Sequence, residues 1–376
     1  MIYNHITYPL SINDLRMVRS VPPGGNWKNI PIDIPSKRLE QIRVSGGRTT
    51  LYGRLSFDKP SYTITTYFNR PGNGSYIHPV HDRVISAREA ARFQSFPDDY
   101  IFQGSKGSLC KQIGNAVPPL LAFSIATQIR KKSKTKNLLD LFCGAGGFSL
   151  GFGWAGYNII VANDNFKQAC ETYRANHKDT TLIEGDITDS EIQKDILEKS
   201  KKGKVDIIVG GPPCQGFSNA GKRMIDDPRN SLYKEFVKMV KQIKPKVFVM
   251  ENVEGILTIN EGKTYNEIKN NFEELGYTVV GHKLLAVKFG VPQKRKRVVI
   301  IGTLKGDPET FFPKPFISDE KNYITTQNAI SDLSNIEVGN NLDPIKLTNK
   351  PTHFFQKFAR GLISPQEYIN LLVKFN

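Results

Sequence analysis

From residue 137 to residue 304, short apolar segments alternate with stretches of helical periodicity. That alternation restricts this half of the chain to a parallel sheet with helices on its faces, because parallel strands need crossover connections and helices supply them. LLDLF (138–142), IIVAN (159–163), TLIEGDI (181–187), VDIIV (205–209) and KVFVMENV (246–253) read as buried strands. Helices are expected near 148–154, up to about 176, and near 231–243. Two further strands, near 277–287 and 297–304, would complete the sheet as a hairpin. The expected fold class is α/β, a doubly wound and mostly parallel sheet, with a second, smaller domain.

The remainder has a different texture. Residues 1–100 are rich in turn formers, VPPGGNW (21–27), SGGRTT (45–50) and NRPGNG (69–74), with only short strand-like pieces such as YTITTY (62–67). SAREAARF (86–93) reads as a helix whose N-cap Ser86 and Glu89 form a capping box. A second helix is expected after Pro118 and Pro119, ending on basic residues. KKSKTK (131–136) reads as a solvated linker, and the tail ends in a helix with Pro365 at its first position.

The formal net charge is +16. Residues 1–136 hold 20 basic against 8 acidic side chains, a net of +12, and the other 240 residues hold 32 against 28, a net of +4. Such asymmetry points to a polyanionic partner near the N-terminal part. Cys110, Cys143, Cys170 and Cys214 show neither zinc-ligand spacing nor a disulfide framework, so no metal is expected and a reducing compartment fits. No leader pattern or bilayer-spanning stretch is read, so a cytoplasmic, nucleoid-associated protein is expected.

Chemistry concentrates in loops that follow the strands. GGPPCQGFS (210–218) places Cys214 just past a strand, on a turn stiffened by Pro212 and Pro213. A lone cysteine is usually a small core hydrophobe, but Pro-Pro excludes a core strand and leaves a loop thiol able to react. LLDLFCGAGGFSLGF runs from strand through a Gly-rich turn to helix, a ligand-binding arrangement. Ser149 stands where a third glycine would complete a dinucleotide fingerprint, so a smaller nucleoside without that pyrophosphate is favoured. Asp164 ends the second strand, where a carboxylate commonly holds ribose hydroxyls, and Asp186 ends the third.

Taken together, the turn DLFCGAGG, the loop PPCQGFS, ENVEG (251–255), PQKRKR (292–297) before VVIIG, RVISAREAARFQSFP (83–97) and QIGNAVPP (112–119) make the chain resemble the cytosine-C5 DNA methyltransferases. The resemblance implies a class I, Rossmann-like catalytic domain that uses S-adenosylmethionine. It also implies methyl transfer to C5 of a flipped-out cytosine in double-stranded DNA through a covalent Cys-C6 adduct. In these terms Cys214 is the nucleophile, Glu251 holds cytosine N3, and Arg295 and Arg297 orient the base and hold the reactive loop. Phe142, Gly144, Gly146, Gly147, Asp164, Asp186, Ile187 and Pro212 match cofactor contacts, with Phe142 or Phe166 facing the adenine. Asn115, grouped with that site, matches a residue bracing the catalytic loop. Gln215, Ser218 and Gln293 are expected at the substrate. Residues 219–230 read as the loop closing over it.

In the family's usual order the cofactor turn opens the chain and QIGNAVPP closes it. Here both late motifs come first, as in a circular permutant, with KKSKTK joining the usual ends. The expected partition is 1–80 and 305–376 for a split target-recognition domain, 81–130 for the late motifs, 131–136 for the linker and 137–304 for the catalytic domain. Arg38, Arg43, Arg48 and Arg54 are candidate DNA contacts. The resemblance further implies a monomer in a bacterial restriction-modification system beside a cognate endonuclease. Alternatives are a tRNA cytosine-C5 methyltransferase, a non-catalytic DNA-binding protein with this fold, and a nicotinamide oxidoreductase, which the missing glycine disfavours.

Overall fold

The apolar segments fold as expected into one seven-stranded sheet. The computed structural model describes residues 1–213, 232–333, 337–339 and 344–375, without the side chains of 259 and 260. The chain divides into two units, one of Met1–Ala116, Gly290–Arg295 and Phe316–Asn376, the other of Val117–Phe289 and Lys296–Pro315. No helix among the described residues is long and apolar enough to cross a membrane.

The second unit holds the sheet. Its strands are β1 (Asn137–Leu141), β2 (Asn158–Asp164), β3 (Thr181–Glu184), β4 (Ile207–Gly210), β5 (Val247–Asn252), β6 (Thr278–Leu285) and β7 (Lys296–Thr303), in the order β3-β2-β1-β4-β5-β7-β6. Strands β1 to β5 pair in parallel, while β7 runs antiparallel to β5 and β6. The strand order reverses between β1 and β4, so their C-terminal ends flank the crevice where open α/β sheets bind ligands. β4 and β5 are buried along their whole length, which is why they read as unbroken apolar runs.

Helices α1 (Pro119–Lys132), α2 (Gly147–Trp154), α3 (Lys167–Asn176), α4 (Ser190–Lys202), α5 (Leu232–Ile243) and α6 (Lys263–Glu273) cover this sheet. α5 buries Tyr233, Phe236, Met239 and Val240, the i, i+3, i+6, i+7 stripe of a surface helix. Phe248 of β5 stacks on Phe272 of α6 at 4.0 Å, with Phe236 edge-on to both. Each aromatic pair adds about 0.5–1.5 kcal/mol beyond the area it buries. α1 and α2 approach closely because Gly151 has no side chain, since a Cβ there would lie 2.4 Å from the Pro119 carbonyl.

The lysines of KKSKTK are exposed, as a solvated connector requires, but the segment is also anchored. Lys131 and Lys132 finish α1, and Thr135 is buried with its hydroxyl 3.2 Å from the Tyr157 hydroxyl. The Lys136 carbonyl accepts from Asn158 N–H, and its own N–H donates to Asp206. Composition alone conceals this, because the anchors are backbone groups and one threonine.

In the first unit the strand expected over 62–67 is cut to Ser61–Tyr62, paired in parallel with Gln293–Lys294. Beyond it the backbone is satisfied by a side chain instead of a ladder: Ile64 N–H donates to the Gln293 amide oxygen at 2.7 Å. Ala87–Phe93 is the capped helix expected from Ser86 and Glu89, and it is buried throughout. Its charges therefore need internal partners. Glu89 accepts both Arg83 guanidinium nitrogens at 2.8 Å, and Arg88 donates to the carbonyls of Tyr3, Pro97 and Tyr100. Arg92 donates to Asp98 and, at 2.5 Å, to Asp332, which also binds Arg360. Ile2 and Ile345 exchange backbone hydrogen bonds at 2.9 and 2.8 Å, so the two ends of the chain close one core.

Arg92→Met keeps the volume but leaves Asp98 and Asp332 short of a buried partner. A loss of about 3–5 kcal/mol is expected, read by urea denaturation followed through first-unit tryptophan Trp27. A loss under 1 kcal/mol would show that the ion network does not hold this core.

Candidate functional site

Sequence-predicted residues gather along the C-terminal edge of the sheet in two neighbouring groups. The first lies on β1, β2 and β3. Phe142 follows β1 with φ 55°, and Gly144 and Gly146 follow with φ 52° and 85°. Left-handed conformations are cheap for glycine and costly for a bulky residue, so Phe142 marks strain held by its surroundings. The Asp164 carboxylate fastens this turn, accepting from Gly144 N–H at 2.7 Å and from Phe166 N–H at 2.8 Å. Burial pushes the Asp164 carboxyl up, against the amides that bind it. A Cβ on Gly144 would meet nothing within 4 Å, so the turn presents open backbone. Gly147 opens α2, and its missing side chain admits the Val117 carbonyl, 2.2 Å from where a Cβ would stand.

Asp186 lies two residues beyond β3, which ends earlier than the sequence implied. Its exposed carboxylate accepts from Thr188 and, at 3.3 Å, from Asn165 next to Asp164. Those Thr188 hydrogen bonds hold its carboxyl below the usual range. Ile187 is buried in the core, so its side chain packs beneath the edge and offers no face to a ligand. The group fits a nucleoside that carries no charge-dense phosphate: a backbone cradle, two carboxylates on adjacent strand ends and a half-buried ring at Phe142.

The second group lies on β4, β5 and β7. Glu251, 7% exposed at the end of β5, takes the Arg297 guanidinium at 2.7 Å. Burial lowers the Arg297 pKa and the Glu251 charge opposes that shift. Gly211, just after β4, faces the same carboxylate, since a Cβ there would stand 3.2 Å from Glu251 Oε2. Asn252 donates to the Pro212 carbonyl at 3.1 Å, fixing the start of the PPC loop on the next strand. Leu141 and Gly210 are paired residues on β1 and β4, so the two groups adjoin. Cys214, Gln215, Ser218 and the closing loop expected over 219–230 lie outside the described residues.

Several first-unit residues have other tasks than those expected. Gln293 is fully buried, accepting from Ile64 N–H and donating to the Phe93 carbonyl and the Gln94 amide oxygen, so it is a brace and not a substrate contact. Arg295, 1% exposed, donates to the carbonyls of Ile64 and Gly114 and ties the PQKRKR segment to QIGN. Arg54 is likewise internal: it donates to the carbonyls of Val18, Val21, His78 and His81 and to Asp82. Basic composition could not separate it from Arg48, which is exposed, from Arg38, which is exposed but donates to the Gly72 carbonyl and the Asn73 amide oxygen, or from half-buried Arg43, which donates to the Ile30 and Pro31 carbonyls. Asn115 is exposed at the end of the helix Lys106–Asn115.

One functional group escaped the sequence reading. Asp140, fully buried on β1, accepts the Ser149 N–H and hydroxyl at 3.2 and 2.7 Å, and the Ser149 hydroxyl meets Tyr173 of α3 at 2.6 Å. This chain locks the Gly-rich turn to both flanking helices. An acidic residue inside the apolar run LLDLF was the available signal. Burial also pushes the thiols of Cys110 and Cys170 up, to about 11 and about 12, so both are thiols near neutral pH.

A sequence profile described as C-5 cytosine-specific DNA methylase matches residues 14–131 and 136–375. The Type II methyltransferase M1.HphI of Haemophilus parahaemolyticus is 46% identical over 206 residues, 54% of this chain and 54% of that protein. M.AquIA of a Picosynechococcus strain is 44% identical over 223 residues, 53% of this chain and 89% of that protein. M.DdeI of Desulfomicrobium norvegicum is 44% identical over 208 residues, 54% of this chain and 49% of that protein. The chain thus spans about half the length of the first and third of these relatives.

Burial pushes the Asp140 carboxyl from 3.8 up to about 7. A carboxyl raised on folding favours the folded state fully below its unfolded pKa and loses that contribution as pH rises through the folded value. Between pH 4 and 8 the wild type should lose on the order of 4 kcal/mol through this group. Asp140→Asn, which cannot ionise, should lack that decline when both proteins are melted across the range. Parallel pH curves would assign the titration elsewhere.

Proposed function

The chain belongs to the C-5 cytosine-specific DNA methylase family, and on that footing we propose that it is a sequence-specific DNA (cytosine-5)-methyltransferase of a bacterial restriction-modification system. The observation that carries the reading is the meeting of Gly211, Pro212, Glu251 and Arg297 beside the Gly-rich turn on one sheet edge. Type II methyltransferases among its relatives support the setting.

S-adenosylmethionine supplies an electrophilic methyl group when bound. The turn at Gly144–Gly147 would hold its amino-acid part and Asp164 its ribose hydroxyls. Asp164 retains lone pairs beyond the two already bonded. Asp186 would take the base's exocyclic amine.

Cytosine C5 is a poor nucleophile, and the Cys214 thiolate adding to C6 makes it enamine-like. Glu251 bonds N3 and shares a proton with it, which offsets the charge that develops on the ring, while Arg297 keeps the carboxyl oriented. Once C5 is methylated, its proton leaves to a base and the C6–S bond breaks, returning the thiolate. In a duplex the target carbon is stacked, so the cytosine must first leave the helix.

The order of the matched blocks supports a circular permutant: late motifs lie in the first block and the cofactor turn in the second. Exposed Arg38 and Arg48 of the first unit remain the candidates for phosphate or base contacts, in a monomer paired genetically with an endonuclease.

Cytosine methylation at one short motif is expected when duplex DNA is treated with the protein and S-adenosylmethionine and then sequenced after bisulfite conversion. Cys214→Ala should abolish it, and Glu251→Gln should lower kcat by about 10²-fold or more. Methylation confined to RNA, or to adenines, would overturn the reading.

A further inference from the structure

The sheet has a second charged edge, opposite the site. Lys136 immediately precedes β1, Lys204 lies just before β4, and Lys246 immediately precedes β5. Beside them, α1 ends at Lys132, α4 at Lys202, and Lys244 follows α5. All six are exposed. Backbone bonds draw these strand starts together: Asp206 N–H donates to Asn137 O at 2.9 Å, Lys246 N–H to Asp206 O at 2.9 Å, and the Asn137 amide to Lys204 O at 3.3 Å. Adjacent strands are about 4.8 Å apart, so these charges form one row. Asp206 is the carboxylate within it, half-buried and already bonded to the Lys136 and Asn137 N–H groups and to the Lys246 ammonium at 3.6 Å. Glu273 and Glu274, at the end of α6, bound the row on its far side, Glu273 pairing with Lys269.

Lysines at helix C-termini complement the helix dipole, which accounts for Lys132 and Lys202. Lys136 and Lys246 lie beyond the helix ends that precede them, whereas Lys204 follows the last residue of α4 by two and its N–H still donates to Lys201 O at 3.2 Å, so it shares that dipole. Lys204 and Lys244 also sit at φ 51° and 52°, where glycine is the inexpensive residue. Positive charge is thus kept at positions whose backbone favours another residue.

We propose that this edge is a second, sequence-independent contact for the phosphates of duplex DNA, engaged by a segment other than the one carrying the target cytosine. The inference rests on the reading of DNA as substrate. Lysine without aromatic neighbours matches phosphate and not unstacked bases, and the tyrosines near this edge, Tyr157 and Tyr277, are each 4% exposed. The length of the strands separates row and site by roughly 15–25 Å at about 3.3 Å per residue, and the row is on the opposite edge of the sheet, so a short, stiff duplex seated across the site does not also lie along the row. A long DNA reaches it by bending back a second segment.

The test compares wild type with a K136E/K204E/K246E variant on a 20-base-pair duplex holding one target and on a plasmid. The salt slope of non-cognate plasmid binding should fall by about 2–3, and the plasmid KM should rise about tenfold. Short-duplex KM and kcat should stay unchanged. Should the glutamates lower the melting temperature, the K136Q/K204Q/K246Q variant carries the same comparison. An unchanged salt slope, or an equal rise of KM on both substrates, overturns the proposal. A wild type that methylates neither DNA overturns the enzymatic reading instead, and the salt slope still decides the second contact.

Discussion

A carboxylate that is 7% exposed must have its charge met, and for Glu251 this is done by Arg297 across an antiparallel strand pair. The register places Val299 opposite Glu251, and Arg297, two residues earlier on β7, shares that face. Were β7 parallel to β5, residue 297 would stand at the far edge of the sheet. The reversal of one strand in a parallel sheet is thus what brings acid and guanidinium together. Asn252, next on β5, then fixes the Pro212 carbonyl, so the same strand pair sets the start of the PPC loop.

The neighbouring group is built differently. The turn after β1 holds three left-handed residues in close succession, one of them a phenylalanine, and no regular hydrogen-bond ladder maintains them. Asp164 supports the turn from β2, while Asp140 supports α2 from beneath through Ser149 and Tyr173. One carboxylate lies near the surface and the other is fully enclosed. The rigid backbone cradle is therefore held partly by an enclosed side chain, Asp140, that touches no ligand.

The parallel sheet, its strand order of functional loops and the capped helix at Ser86 were legible, because period, caps and Gly-Pro punctuation are local signals. The roles of Gln293, Arg295 and Arg54 were not. Each is a polar residue in a basic or turn-rich stretch, and only the carbonyls brought round from distant segments show that its donors are used internally. The strand over 62–67 failed for the same reason: alternation was present, but Gln293 took the place of a ladder partner. In KKSKTK the lysines are solvated as their charge implies, but composition hid a buried threonine and two backbone anchors. Long-range polar pairing leaves little trace in sequence, whereas apolar periodicity leaves much.

The joining of both chain ends in one core sets an order of events during synthesis. Arg92 emerges early, but its partner Asp332, which Arg360 shares, is made 240 residues later. At the usual elongation rate of about 5–20 residues per second, the first unit waits on the order of ten seconds or more with a guanidinium lacking its full set of carboxylates. The sheet, encoded as one nearly continuous stretch, has its strands available sooner. Residues 137–303 are thus available to pair as a sheet before the Arg92–Asp332 pair of the first unit can form.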